Sequence, residues 1–187
     1  NPGPWKSPAR PGDNKWTTSL FARDADTGQA RWAYQFSPHD TVDYDGVNEN
    51  ILLDMDWKGQ RRKVLVHPDR NGFIYVMDRE SGEVLSAEPF AATNTHLYVN
   101  LKSGRPKVNE EKVPQPGRIV RDVCPAPPGA KDWQLSSFSH KSGLLYLPHN
   151  NLCADFRAME VGYVQGTPYV GAEVFMKAGP DGHRGEF

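Results

Sequence analysis

Phe73-Ile74-Tyr75-Val76-Met77-Asp78-Arg79-Glu80-Ser81-Gly82-Glu83-Val84-Leu85 is the stretch that decides the fold class. Aromatic and β-branched residues flank an Asp-x-x-Ser-Gly turn, and such residues suit a pleated, half-buried surface. Glycine supplies a positive φ at the turn without steric cost. The unit recurs. Leu20-Phe21-Ala22-Arg23-Asp24 runs into Ala25-Asp26-Thr27-Gly28 and on to Gln29-Ala30-Arg31-Trp32-Ala33-Tyr34. Weaker copies stand at Leu101-Lys102-Ser103-Gly104 and at His140-Lys141-Ser142-Gly143, the last before Leu144-Leu145-Tyr146-Leu147. Strand, tight turn, strand, repeated at irregular intervals, predicts an all-β chain made of the outer hairpins of propeller blades with insertions between them. Lys63-Val64-Leu65-Val66-His67 and Gly72-Phe73-Ile74-Tyr75-Val76 predict buried central strands. Pro68-Asp69-Arg70-Asn71 joins them, which sets Arg70 in a hairpin turn at an end of the sheet. The insertions are 37–60, 105–133 and 149–187, and loops of that length are usually functional or disordered. Phe156, Tyr163, Tyr169 and Phe175 make the last of them aromatic enough to favour order. Trp16 and Trp32 read as blade packing.

Glycine (17) and proline (16) make up about 18 per cent of the 187 residues, against roughly 12 per cent in average usage, which indicates many turns and few long helices. A formal charge of -1 implies no broad basic surface for nucleic acid. The apolar runs are too short for a membrane span. The chain opens without a start methionine or signal peptide, so a longer protein truncated at both ends is expected, with 1–187 inside a single domain. Cys124 and Cys153 are the whole cysteine supply. They are too few for a zinc site, and they fit equally two reduced core thiols or one disulfide in an oxidising compartment.

The chemistry concentrates in Pro38-His39-Asp40-Thr41-Val42-Asp43-Tyr44-Asp45-Gly46-Val47-Asn48. In an extended segment Asp43 and Asp45, two apart, point to the same side. Like charges on one face repel, and a polyvalent cation or a shared proton is the usual reason to tolerate them. The plain alternative is a solvated acidic turn beside Gly46. Arg70 as a solvated turn residue and Asp132 as a loop or cap residue are the corresponding plain readings elsewhere.

The motifs taken together resemble those of the quinoprotein alcohol dehydrogenases. They are Asn1-Pro2-Gly3-Pro4-Trp5, Arg10-Pro11-Gly12-Asp13-Asn14-Lys15-Trp16, Ser37-Pro38-His39-Asp40, Gly46-Val47-Asn48, His67-Pro68-Asp69-Arg70-Asn71-Gly72 and Pro148-His149-Asn150-Asn151-Leu152-Cys153. The resemblance covers essentially the whole chain. It implies part of an eight-bladed β-propeller, about two to three blades with long loop insertions, around pyrroloquinoline quinone. Asp45, where calcium-using relatives carry a small residue, is similar to the lanthanide-dependent methanol dehydrogenase branch, as are Asn48-Glu49-Asn50 and Gly129-Ala130-Lys131-Asp132-Trp133. By resemblance, Asn1, Asp43 and Asp45 are metal ligands, the ion being a lanthanide with calcium as the alternative. Asp43 is also the catalytic base. Arg70 meets the quinone's reactive carbonyl, and Asp132 and Trp133 neighbour the cofactor. Cys124 and Cys153 form a disulfide, and the location is periplasmic.

The implied reaction is oxidation of a primary alcohol, methanol above all, by hydride transfer to the quinone. A small alcohol is then the substrate, a c-type cytochrome the electron acceptor, and a homodimer the full-length form. The alternatives are an ethanol or broad-alcohol dehydrogenase and a non-catalytic propeller binding module. An isolated piece would be inactive, because an unclosed propeller leaves strand edges exposed. The metal expectation has a charge argument. At an effective dielectric of about 20, a second unit charge near 4 Å is worth about 4 kcal/mol before desolvation. The carboxylate of Asp45 therefore favours a trivalent ion over a divalent one.

Overall fold

The computed structural model describes residues 10–186. Asn1 and the motif around it lie outside the described residues. Strands β1 (Ser19–Arg23) and β2 (Ala30–Gln35) form a hairpin. Strands β3 (Ile51–Trp57), β4 (Gln60–Pro68), β5 (Phe73–Asp78) and β6 (Val84–Pro89) follow as one four-stranded antiparallel meander, a complete blade. Strands β7 (His96–Asn100) and β8 (Arg105–Val108) make a second hairpin. Beyond them come β9 (Ile119–Val123), the hairpin of β10 (Ser137–Ser139) and β11 (Leu144–Tyr146), and β12 (His149–Asn150). The last elements are β13 (Leu152–Ala158), β14 (Ala172–Ala178) and β15 (Gly185–Glu186). Strand β13 lies between β14 and β9, and β12 pairs with β15. The described residues hold no α-helix, and the chain is part of a β-propeller.

The turns share one device. Asp78 Oδ1 accepts the backbone N–H groups of Glu80 and Ser81, both at 3.0 Å, while the Gly82 N–H returns to the Asp78 carbonyl at 2.8 Å. Asp24 repeats this with Asp26, Thr27 and Gly28. Asn100 substitutes its amide oxygen in the turn before β8, and Ser139 its hydroxyl in the turn before β11. Short polar side chains that satisfy their own backbone explain why the hairpins could be read from sequence.

The blade is covered on both faces. On one side Leu65, Phe73, Tyr75, Met77 and Val84 pack with Phe36 and Val99 and with Leu20, Trp32 and Tyr34 of the first hairpin. On the other, Leu53, Val64 and Val66 pack with Phe138 and Leu145. Trp32 joins one unit to the next. Its Nε1 donates to the Arg79 carbonyl at 3.1 Å, and its ring lies flat enough on Gly82 that a Cβ there would meet it at 2.8 Å.

Three expectations need correction. Residues 37–60 are not all insertion, because 51–57 form β3, the first strand of the blade. Ile51, Leu53 and Met55 face its core, while Asp54 and Asp56 fall on the opposite side, the alternation of a half-buried strand. The stretches 105–133 and 149–187 likewise contain β9, β13 and β14, whose core residues Val120, Val123, Ala154, Phe156 and Ala172 close a third cluster. Trp16 packs on Phe21 of β1 and is 64% exposed. Cys124 and Cys153 are joined in a disulfide, which decides between the two cysteine readings.

Two stability predictions follow from the packing. Gly28 and Gly82 share a positive φ, but nothing lies near Gly28. Gly28→Ala should cost about 1 kcal/mol from backbone strain, and Gly82→Ala about 2 to 4 kcal/mol because the Trp32 contact adds overpacking. Urea unfolding of the intact protein measures both. Cys124→Ser with Cys153→Ser should cost about 3 to 4 kcal/mol through the 29-residue separation that the bridge closes.

Candidate active site around Asp43, Asp45 and Arg70

The acidic segment is not a strand. Its shape is set by Asp40, whose carboxylate accepts backbone N–H groups from Val42 at 3.0 Å, Asp43 at 3.2 Å and Tyr44 at 2.7 Å. Burial pushes the Asp40 carboxyl above its ordinary range, and the three N–H donors oppose this. Arg10 holds the same corner by donating to the Asp40 carbonyl at 2.7 Å. Val42 and Tyr44 are buried in the core beneath β9, β13 and β14, and the Tyr44 hydroxyl donates to the Pro125 carbonyl at 2.6 Å. With 42 and 44 pointing inward, Asp43 and Asp45 are left on the outer side. Asp43 has a φ of 98, a left-handed conformation that costs a non-glycine residue about 1 to 3 kcal/mol. The expected pairing of the two aspartates is therefore met by a strained turn rather than by extended alternation.

The two carboxyl groups approach within hydrogen-bond reach. Asp43 is raised to about 7, first by desolvation, then by the Asp45 contact and charge and by the Asp40 charge, with Arg70 opposing. Arg70 comes from the β4–β5 turn, as its sequence position predicts. Asp69 Oδ1 accepts the Asn71 N–H at 3.0 Å, and Asn71, wholly buried, donates to the Phe36 carbonyl and the Tyr75 hydroxyl, so the turn is rigid. Arg70 Nη1 donates to the Asp43 carbonyl at 2.9 Å and lies 3.8 Å from Asp45 Oδ1. Its Nη2 pairs with Asp132 Oδ2 at 2.9 Å. Gly129 forms the floor under this side chain, where a Cβ would lie 2.5 Å from Arg70 Cγ.

Asp43, Asp45, Arg70 and Asp132 thus converge. Trp133, next to Asp132 in the chain, is 70% exposed. No group of three or more His, Cys, Asp or Glu side chains able to hold a metal occurs among the described residues. What the chain offers there is the pair of carboxylates, an oxygen donor set suited to a hard cation. A cation would also relieve the repulsion that raises Asp43. The Nε of Arg70 is buried without a hydrogen-bond partner among the described residues, so the guanidinium keeps one donor for a further acceptor. Both features fit an ion and a carbonyl-bearing cofactor. Asp45 also borders an open cleft of about 370 Å³ whose walls include Trp16, Leu20, Phe36 and His67. Sequence reasoning missed the turn-forming role of Asp40, and it missed Glu49 and Lys131. Lys131 is fully buried, with its Nζ 3.0 Å from Glu49 Oε2. Nothing local marks that pair, since its members are 82 residues apart.

Comparison with known proteins adds an independent line. Residues 5–88 match the family model described as glucose/ethanol/alcohol dehydrogenase, β-propeller domain. The chain is 46% identical, over 97% of its length, to 30% of a lanthanide-dependent methanol dehydrogenase of Methylacidiphilum fumariolicum. It is 41% identical, over 98% of its length, to 30% of the methanol dehydrogenase [cytochrome c] subunit 1 of Methylorubrum extorquens. Among solved structures it superposes on a europium-containing methanol dehydrogenase with a TM-score of 0.92 at 46% identity, covering 99% of this chain and 33% of that one. The chain therefore spans about 30% of the length of the curated relatives it matches.

The raised Asp43 has a pH signature with a definite sign. Its folded value of about 7 lies above its ordinary 3.8, so the stabilisation is fully present below pH 3.8 and is lost as pH rises through 7. In the ion-free intact protein, the urea midpoint should fall across that window. Asp45→Asn should flatten the decline, because one of its causes is removed while desolvation remains. An identical slope in the variant would mean that the two carboxyls do not interact.

Proposed function

Because this chain belongs to the quinoprotein alcohol dehydrogenase family, we propose that the protein containing it oxidises a primary alcohol, methanol foremost, as a lanthanide-using enzyme. The observation that carries this reading is the Asp43–Asp45 carboxylate pair held beside Arg70. Bound pyrroloquinoline quinone supplies a two-electron acceptor, and a bound lanthanide, or calcium in its place, supplies a Lewis acid.

The chain's own residues then divide the work. Asp43 and Asp45 would hold the ion, and Asn1, outside the described residues, would be a third ligand. Two carboxylates rather than one favour the higher charge. Asp43 accepts the proton of the alcohol hydroxyl as general base. A bound cation would favour its ionised form, opposing the elevation that burial and Asp45 impose. Arg70 would present fixed positive charge to the bound acceptor, its Nε being without a hydrogen-bond partner among the described residues. Such preorganised donors contribute most in the transition state. Asp132 neutralises and aims the guanidinium. Trp133 supplies an exposed ring near the same edge, available to neighbour the cofactor.

The remaining parts of the proposal concern the whole protein. The disulfide supports a periplasmic location, since such bridges persist in oxidising compartments. The name of the Methylorubrum relative supports a c-type cytochrome as electron acceptor. No helix of the described residues is long and apolar enough to cross a membrane. We extend the proposal to a homodimer in which residues 1–187 belong to a single propeller domain.

The test is dye-linked alcohol oxidation by the intact protein reconstituted with the quinone and either lanthanum or calcium. Turnover should be stimulated by lanthanum. Asp43→Asn should lower kcat by about 100- to 10,000-fold, the usual loss of a general base. Asp45→Ala should abolish the preference for lanthanum with little change in unfolding midpoint. If the loaded wild-type protein oxidises no primary alcohol, the reading is wrong.

A further inference from the structure

Asn48-Glu49-Asn50 follows the acidic loop directly, and each of its three side chains grips a different part of the site. Asn48 Nδ2 donates to the Pro68 carbonyl at 2.6 Å. Asn50 Oδ1 meets His67 Nδ1 at 2.9 Å, and His67 Nε2 lies 3.3 Å from Asp69 Oδ2, one residue before Arg70. Glu49 reaches across to the other wall. Its Oε1 accepts the Ser136 N–H at 2.7 Å and its Oε2 takes the Lys131 ammonium at 3.0 Å. Lys131 uses its other donors on the carbonyls of Asp132, at 2.9 Å, and Gln134. Every donor of the buried ammonium therefore ends on one of the two segments flanking the site.

The cost of wholly burying the Lys131 ammonium against a partly buried Glu49 carboxylate is poorly explained by stability alone, since a well-packed apolar side chain would serve the core as well. Register explains it better. Asp45 stands four residues before Glu49, and Lys131 immediately precedes the aspartate that holds Arg70. We propose that Glu49 and Lys131 are positioning residues, a buried clamp that sets the acidic loop against the Arg70–Asp132 pair and so fixes where the carboxylates stand relative to the guanidinium. The clamp stands on this geometry, and its consequence for ion binding and turnover rests on the reading of the site proposed above. Outer partners that orient ligand-bearing segments commonly alter metal affinity or activity by about 10- to 100-fold.

The test uses the intact protein with Glu49→Gln, which keeps the volume, and the double variant Glu49→Gln/Lys131→Met, which leaves no buried charge unpaired. Hydrogen exchange read by mass spectrometry should be at least about tenfold faster in Glu49→Gln over residues 42–46 and 129–136 and unchanged over β4 and β5. Terbium luminescence of the cofactor-free protein should report affinity weakened about 10- to 100-fold. In the loaded enzyme kcat should fall by a similar factor while KM for the alcohol moves less than about twofold. The double variant should recover thermal stability without recovering terbium affinity, which a merely structural role would not produce. Unchanged exchange in Glu49→Gln, or recovery of affinity together with stability in the double variant, would overturn the clamp. A wild-type protein that binds no terbium would overturn the metal reading of Asp43 and Asp45, while the exchange measurement would still decide the clamp.

Discussion

Burial of Val42 and Tyr44 is the constraint on which the site depends. Both side chains are committed to the core beneath β9, β13 and β14, at about 1.5 to 3 kcal/mol each for removing such groups from water. Their commitment leaves Asp43 and Asp45 no alternative but the outer face, side by side. Asp40 then closes the turn from below with its three backbone contacts, so the strained φ at Asp43 is over-determined. Repulsion between the aspartates is thus not a local accident but a tension that the core sustains, and a bound cation is the natural partner for it.

The arginine arrives by a separate route. Strands β4 and β5 belong to a blade buried on both faces, and their turn inherits that rigidity through Asn71 and Asp69. Gly129 and Asp132 approach from a third direction and close over the Arg70 side chain. Three segments with independent anchors therefore meet at one point. Such convergence suits preorganisation, because no single loop fluctuation can carry all the charged groups away together. It also explains why buried polar contacts gather around 48–50 and 131–136, where the separately anchored pieces must be registered.

Legibility of the fold varied with how local its causes were. The hairpins at Asp24, Asp78, Asn100 and Ser139 could be read because their turns are satisfied by their own side chains. Strand β3 did carry the alternating signal, Leu53 and Met55 inward and Asp54 and Asp56 outward, and was passed over because it adjoins the acidic segment read as an insertion. Strands β13 and β14 were obscured because β13 pairs with β9 across a long separation and with β14 across a long connection, so neither pairing leaves a tight-turn signature. In the site, Arg70 and the aspartate pair stood out by spacing and resemblance. Lys131 did not, since a lysine between alanine and aspartate has no pattern that announces full burial.

The order of residues alone determined the class of fold, the position of Arg70 in a sheet-end turn and the nearness of Asp43 to Asp45, because turn chemistry and short separations act within a few residues. The tertiary structure decided that Asp43, Asp45, Arg70 and Asp132 share one place and that Glu49 reaches Lys131. Those outcomes depend on how separate hydrophobic cores orient their loops, and that orientation is a property of packing between segments distant in the chain.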